Sequence, residues 1–296
     1  MHLPLQMVNT IVSSSTYEFN EFKTYLSFAF HTSGNCKLNN KIKNDISNHL
    51  DISQRTLNKH IQSLIDKNYF GYNIKTNTLF INGLKKIKRL VYINNDYNDD
   101  ILTKTSFVLN VSDFKNLKFL TFSATESLIL KYQLKYKNKL IFKQYLVSNN
   151  LLKRYDNGSE NTKRYLKNIY NSEKKTKGDS IKKENPNHLS SNLYMDDKEY
   201  LGVSNSFISN KFNRSKSWGS KMKKKSSLLS LLEYKKKFKL IDSFPITFNV
   251  RKYLSINCPE KYSRFITKRQ NDMIVVYETG YDEIKSNVKL TTRRVK

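Results

Sequence analysis

Hydrophobic and polar positions alternate in several distinct ways along this chain, and the sharpest pattern lies between Lys41 and Ile81. Leu57, Ile61, Leu64 and Ile65 recur at i, i+4, i+7 and i+8, a single apolar stripe at helical period, and Ser53 precedes it as a favoured N-cap. The spacing predicts a helix from Ser53 to about Lys67. Upstream, Ile42, Ile46 and Leu50 define a shorter amphipathic helix over 41–50, and Asp51-Ile52-Ser53 forms the turn between the two. Ser47 stands four residues before Asp51, where two helices must cross closely. Downstream, Tyr69 and Phe70 read as buried, and 71–81 alternates as two strands about a turn at Lys75-Thr76-Asn77-Thr78. Before this region, Tyr17 to Phe30 reads as a helix with Phe19, Phe22, Leu26 and Phe30 on its buried side, and residues 2–15 read as an extended lead-in.

The face opposite the Leu57–Ile61 stripe carries Arg55, Lys59 and Gln62, with Gln54, Thr56 and Asn58 nearer the first turn. A guanidinium, an ammonium and amides on one outer helix face suit the base edges of a major groove, where Arg pairs bidentately with guanine and Asn or Gln with adenine. The same helices could form a hairpin that packs on another protein. The cationic, amide-rich outer face favours DNA.

From Ile52 to Leu64 the order I-S-x-x-T-L-x-x-x-I-x-x-L resembles the start of the second helix in the winged helix-turn-helix family. Asp51 stands where that family usually has Gly, so it must take or avoid a left-handed conformation, which Asp enters more readily than most residues. A helix, a loop with Gly34 and Cys36, and then this motif is similar to the helix-turn-helix domain of plasmid and phage replication initiators, and of many regulators. The resemblance implies a duplex-reading helix, with wing lysines such as Lys75 on phosphates.

Beyond residue 90 the patterns change. The polar run 91–100 suggests a boundary. Phe107, Leu109 and Val111 alternate before a turn at Ser112-Asp113, and 123–147 reads as a long helix that could be a spacer, a dimerisation helix or part of a second core. Residues 151–191 combine dense charge with few apolar side chains, which predicts a disordered basic linker. From Asp196 the sequence DDKEYLGVSNSFISNKFNRS contains G-V-S-x-x-x-I-S, similar to the helix-turn-helix of lactose-repressor-type proteins. That resemblance implies a second DNA contact through Ser206, Asn210, Asn213 and Arg214, with Ile208 and Phe212 turned inward. Lys198 and Lys211 depart from its pattern, standing where a small and an apolar residue are usual. Strands are predicted at 246–250, 264–268 and 273–278, the last two joined by a turn at Gln270-Asn271-Asp272.

The expected fold is mainly α with small β-hairpins (α+β), as tandem winged helix-turn-helix modules joined by a basic linker. Its parts are a winged module over 1–95, a helical spacer or dimerisation region over 101–150, the linker over 151–191, a second module over 192–290 and a basic tail over 291–296.

Composition adds a partner. The formal net charge is +28, so a polyanion is the natural counterpart. Two cysteines, Cys36 and Cys258, exclude a disulfide framework and a zinc knuckle and fit a reducing cytoplasm. The opening residues lack the features of a signal peptide, and no stretch has the apolar length of a membrane span. There is no P-loop and no H-x-H or H-x-x-x-H spacing. Asp272 followed by Glu283-Ile284-Lys285 is the one candidate for metal-dependent nuclease chemistry, with carboxylates on Mg²⁺ and the lysine beside the attacking water. The same E-x-K spacing occurs at Glu21-Phe22-Lys23. The expectation is therefore a non-enzymatic protein without cofactors that binds double-stranded DNA, as a replication initiator or a transcription regulator, with homodimerisation open. The alternative is a metal-dependent nuclease with a DNA-binding front end.

Overall fold

The computed structural model describes residues 1–93, 105–176, 188–190, 203–259 and 265–292. The expected boundary from residue 94 onward, the linker over 177–187, Lys198, Gly202 and the tail from Arg293 lie outside them. In chain order the first elements are β1 (His2–Pro4), α1 (Leu5–Ser13), α2 (Thr16–His31), β2 (Asn35–Lys37), α3 (Asn40–Leu50) and α4 (Gln54–Asp66). Next come β3 (Phe70–Asn73), β4 (Thr78–Ile81), α5 (Leu84–Ile93), β5 (Thr105–Val108), a 3₁₀ turn (Val111–Asn116) and α6 (Leu117–Ser148). They are followed by α7 (Leu152–Asp156), α8 (Glu160–Thr176), β6 (His188–Ser190), α9 (Asn205–Asn210) and α10 (Lys216–Leu228). The chain ends with β7 (Leu232–Pro245), α11 (Val250–Asn257), β8 (Phe265–Gln270), β9 (Met273–Ser286) and β10 (Leu290–Thr292). The protein is mainly helical with small antiparallel sheets, an α+β chain. Among the described residues no helix is long and apolar enough to cross a membrane.

The chain divides into two units, and neither is continuous in sequence. One comprises residues 1–128, 204–231 and 288–296, and the other 129–203 and 232–287. This differs from the expected order of modules. The α9–α10 pair groups with the N-terminal segment, and the C-terminal strands β7, β8 and β9 group with the other unit.

In the first unit, residues 5–13 are helical where an extended lead-in was expected. Leu3, Leu5 and Met7 do alternate, but Leu5, Val8 and Val12 also fall at helical period, and all are buried. Only β1 stays extended. It pairs with β5, which pairs in turn with β10 on its other edge. The front of α6 is buried continuously from Leu120 to Leu128, so this stretch is part of the core. Phe122 stacks on Phe212 with centroids 5.9 Å apart and meets Trp218 edge-on at 5.7 Å. Thr125 donates to the Asn9 side chain at 3.0 Å, and Glu126 pairs with Lys223 at 3.0 Å.

In the second unit, 152–156 and 160–176 are helices where a disordered linker was expected. Leu166 and Tyr170, one turn apart, pack on Phe142 and Leu146, with Tyr145, Leu151, Leu152 and Tyr155 around them. Four buried side chains in this cluster offset the low average hydrophobicity that suggested disorder. The sheet runs β6-β9-β7, with β8 also paired to β9. Val250 and Leu254 of α11 pack on Val276, beside Phe244, Phe265 and Ile274. The strand expected over 246–250 is instead a turn and a helix start: Phe248 N–H donates to the Pro245 carbonyl at 2.9 Å, and the Asn249 side chain accepts from Lys252 N–H at 3.1 Å. The other two strands form as expected. Asn271 takes φ 51° in the turn between them.

Candidate nucleic-acid interface

Three helices and a small sheet position the candidate face. Ser15 caps α2 by accepting from Glu18 N–H at 3.1 Å, and Asn39 caps α3 by accepting from Ile42 N–H at 2.9 Å. Asp51 then ends α3 with φ 56° and ψ 50°, the left-handed conformation that its place in the turn requires. The N–H of Ile52 donates to the Ser47 carbonyl at 3.0 Å, and Ser47 is buried where α3 meets α4. Ser53 caps α4, accepting from Thr56 N–H at 3.1 Å.

Leu57, Ile61 and Leu64 are buried as their spacing predicts, each contributing roughly 1.5–3 kcal/mol. His60 is buried with them, 2% exposed, and its Nδ1 lies 2.8 Å from the Thr24 hydroxyl. Its place three residues after Leu57 puts it on the inner stripe, which is the signal in the sequence for its burial. Lys67, at the end of α4, pairs with Glu21 of α2 at 2.6 Å and fixes the far end of the helix. β2, β4 and β3 form one antiparallel sheet in that order, with Phe70 and Leu79 buried beneath it. At its tip the Asn73 side chain accepts from Lys75 N–H at 3.0 Å, and Asn77 takes φ 49°, hydrogen-bonded from the Tyr72 hydroxyl at 2.8 Å.

On the outer side of α4, Gln54, Arg55, Asn58, Lys59 and Gln62 are exposed and Thr56 is half-buried. Gln54 donates to the Asn44 side chain of α3, and Gln62 to Asp66 one turn on at 3.0 Å. Among the described residues no hydrogen bond or ion pair engages Arg55 or Lys59. Lys75 is exposed at the tip of the β3–β4 hairpin. These residues therefore lie on one helix and one hairpin of the same small fold.

The second predicted set is arranged differently. Ser206 and Asn210 are exposed on α9, a helix of only six residues, and Asn213 takes φ 50° in the turn after it. Ile208 and Phe212 are buried as expected. Arg214 donates to the carbonyls of Ser14 at 2.9 Å and Ser13 at 3.4 Å, where α1 ends. Its guanidinium thus stabilises a helix terminus. The small residue that allows close helix crossing is Gly219 of α10, where a β-carbon would lie 2.2 Å from the Ser209 hydroxyl.

The nuclease constellation does not assemble. Asp272 sits in the β8–β9 turn, and Glu283 and Lys285 lie far along β9, on the order of 30 Å away at strand rise. One metal ion cannot span that separation. Among the described residues no group of three His, Cys, Asp or Glu could hold a metal. Both cysteines are free, and burial pushes the Cys36 thiol up, away from the reactive thiolate.

No protein-family model, curated protein or solved structure matches the chain.

Proposed function

We propose that this protein binds double-stranded DNA through a winged helix-turn-helix, with α4 in the major groove and the β3–β4 hairpin as its wing. The observation that carries the reading is the placement of Arg55 and Lys59. Both project from the start of a capped helix, opposite its buried stripe, with no partner among the described residues. The element order α2-β2-α3-α4-β3-β4 and the sheet order β2-β4-β3 support it, because they set a hairpin bearing Lys75 beside that helix. The charge of +28 supplies the phosphate attraction common to all sequences. Such a module serves a plasmid- or phage-type replication initiator or a transcription regulator.

The test is selection of random duplex fragments by the full-length protein, followed by sequencing. A recovered motif whose binding weakens in Arg55→Ala supports the reading. Recovery of unrelated fragments with equal affinity, unchanged by Arg55→Ala, overturns it.

A further inference from the structure

The two faces of the C-terminal sheet are unlike. One is covered by α11, where Val276, Ile274, Phe244 and Phe265 meet Val250 and Leu254. Residues directly opposite in an antiparallel ladder share a face. Leu240, Tyr277 and Ile266 are opposite one another across β7, β9 and β8, so they lie on the other face, as do Val275 with Lys268 and Phe238 with Thr279. Phe238 is 50% exposed and Leu240 59%. Lys268 Nζ lies 5.5 Å from the ring centroids of both Phe238 and Tyr277, and Gln270 donates to the Tyr277 hydroxyl at 3.3 Å.

We propose that this open face binds single-stranded DNA, with bases stacked on Phe238 and Tyr277 and Lys268 on the adjoining phosphates. An accessible ring on a sheet offers a stacking surface to any unpaired base, whereas a duplex keeps its bases stacked inside. The charge fits the same occupant. Lys268 lies on this face with no carboxylate opposite it, since its ladder partner is Val275, whereas Arg269, opposite Ile274, belongs to the covered side. The same face of a second copy would bring another Lys268 against this one, and a neutral apolar peptide would leave that ammonium without counter-charge. The cation held between two rings is already placed where a backbone phosphate beside two stacked bases would run. The choice of DNA over RNA rests on the duplex-binding reading above.

The experiment uses the full-length protein and a fluorescein-labelled oligo(dT) of about 16 nucleotides, a length that one small binding face can occupy. Anisotropy gives the affinity, and ultraviolet cross-linking with peptide mapping gives the position. Phe238→Leu keeps an apolar side chain on a half-exposed position, so folding, checked by circular dichroism, is retained. It should weaken oligo(dT) binding about tenfold and leave binding of the selected duplex unchanged. Lys268→Ala should also weaken it and lower its salt dependence. Cross-links should map to the peptides holding Phe238 or Tyr277. Arg55→Ala should have the reverse profile, so that failure at one site is told apart from failure at the other. If duplex binding is absent but the Phe238→Leu loss is seen, this inference stands and the duplex reading falls. Unchanged oligo(dT) binding in Phe238→Leu, or cross-links confined elsewhere, overturns the proposal. So does tighter binding of oligo(rU), or self-association that Phe238→Leu abolishes while oligo(dT) affinity stays the same.

Discussion

Glu126 and Lys223 meet at 3.0 Å inside the first unit, the carboxylate fully buried and the ammonium largely so, although 97 positions separate them in the chain (223 − 126). A buried pair is costly to break from one side, because the remaining charge loses both water and partner. Lys223→Met should therefore destabilise the protein by about 3–5 kcal/mol. The double change Glu126→Leu with Lys223→Met should recover most of that loss. Chemical denaturation of the three proteins checks this, and a double variant no more stable than Lys223→Met would contradict it.

Gly219 gives a second stability prediction. A β-carbon there would meet the Ser209 hydroxyl at 2.2 Å and the Asn205 backbone carbonyl at 2.9 Å, and the carbonyl cannot turn aside. Gly219→Ala ordinarily favours a helix, by roughly 0.5–1 kcal/mol. Here the crowding should outweigh that gain and cost on the order of 1–3 kcal/mol. A thermal melt showing Gly219→Ala at or above the parent would mean that α9 and α10 do not cross as described.

DNA affinity should separate Arg55 from Lys59. If Arg55 reaches a guanine, Arg55→Ala should cost about 1–3 kcal/mol on the preferred site and relax preference at one base pair. If Lys59 meets a phosphate, Lys59→Ala should weaken every sequence alike and reduce the slope of log affinity against log salt by about one. Leu57→Ala is the folding control and should cost roughly 2–5 kcal/mol of stability through the cavity it leaves. A salt titration on matched and unmatched duplexes reads the first two, and chemical denaturation reads the third.

His60 makes stability depend on pH. Burial lowers its pKa below the ordinary 6.5, while the Glu21 carboxylate acts the other way. The folded pKa thus lies under the unfolded one, and the unfolded chain takes up the proton first as pH falls. The stabilising effect is present above about 6.5 and is lost as pH falls through the folded value. His49 is also lowered, by burial and then by His31, Lys115 and Lys23, so it adds in the same direction. The melting temperature should fall between about pH 7 and about pH 5, and less so in His60→Gln. Equal slopes for the two proteins would remove His60 from the account.

How much of this was legible in the sequence varies along the chain. The region from Thr16 to Ile81 was read closely, down to the Ser53 cap, because most elements there pack on neighbours in sequence. The sequence left both conformations open at Asp51, and β2 lies at the end of the expected loop because its partner β4 comes only after α3, α4 and β3. The exposed set Gln54, Arg55, Asn58 and Lys59 followed from that local periodicity. His60 sits on the same inner stripe, but a polar imidazole adds nothing to the apolar pattern that marks the stripe. The rest depended on long-range pairing. β5 receives strands from both ends of the chain, with Leu3 and Leu290 both opposite Phe107. No local pattern announces such a match. Helices α7 and α8 show the same difficulty on a smaller scale. Each carries too few apolar residues to predict order alone, and Leu166 and Tyr170 find their core only against Phe142 and Leu146.

That two-sided strand also sets an order of events during synthesis. Once the first 128 residues are clear of the ribosome, β1 can already lie on β5, but the opposite edge of β5 is bare and Phe122 lacks both aromatic partners. Phe212 and Trp218 arrive only some ninety residues later (212 − 122), and β10 later still. At about 5–20 residues per second the nascent unit waits for several seconds with an open edge and an uncovered apolar helix, the features that recruit chaperones or seed aggregation. A message cut short before the codon for Phe212 would leave the elements from α2 to β4 formed but the cover over α6 unfinished.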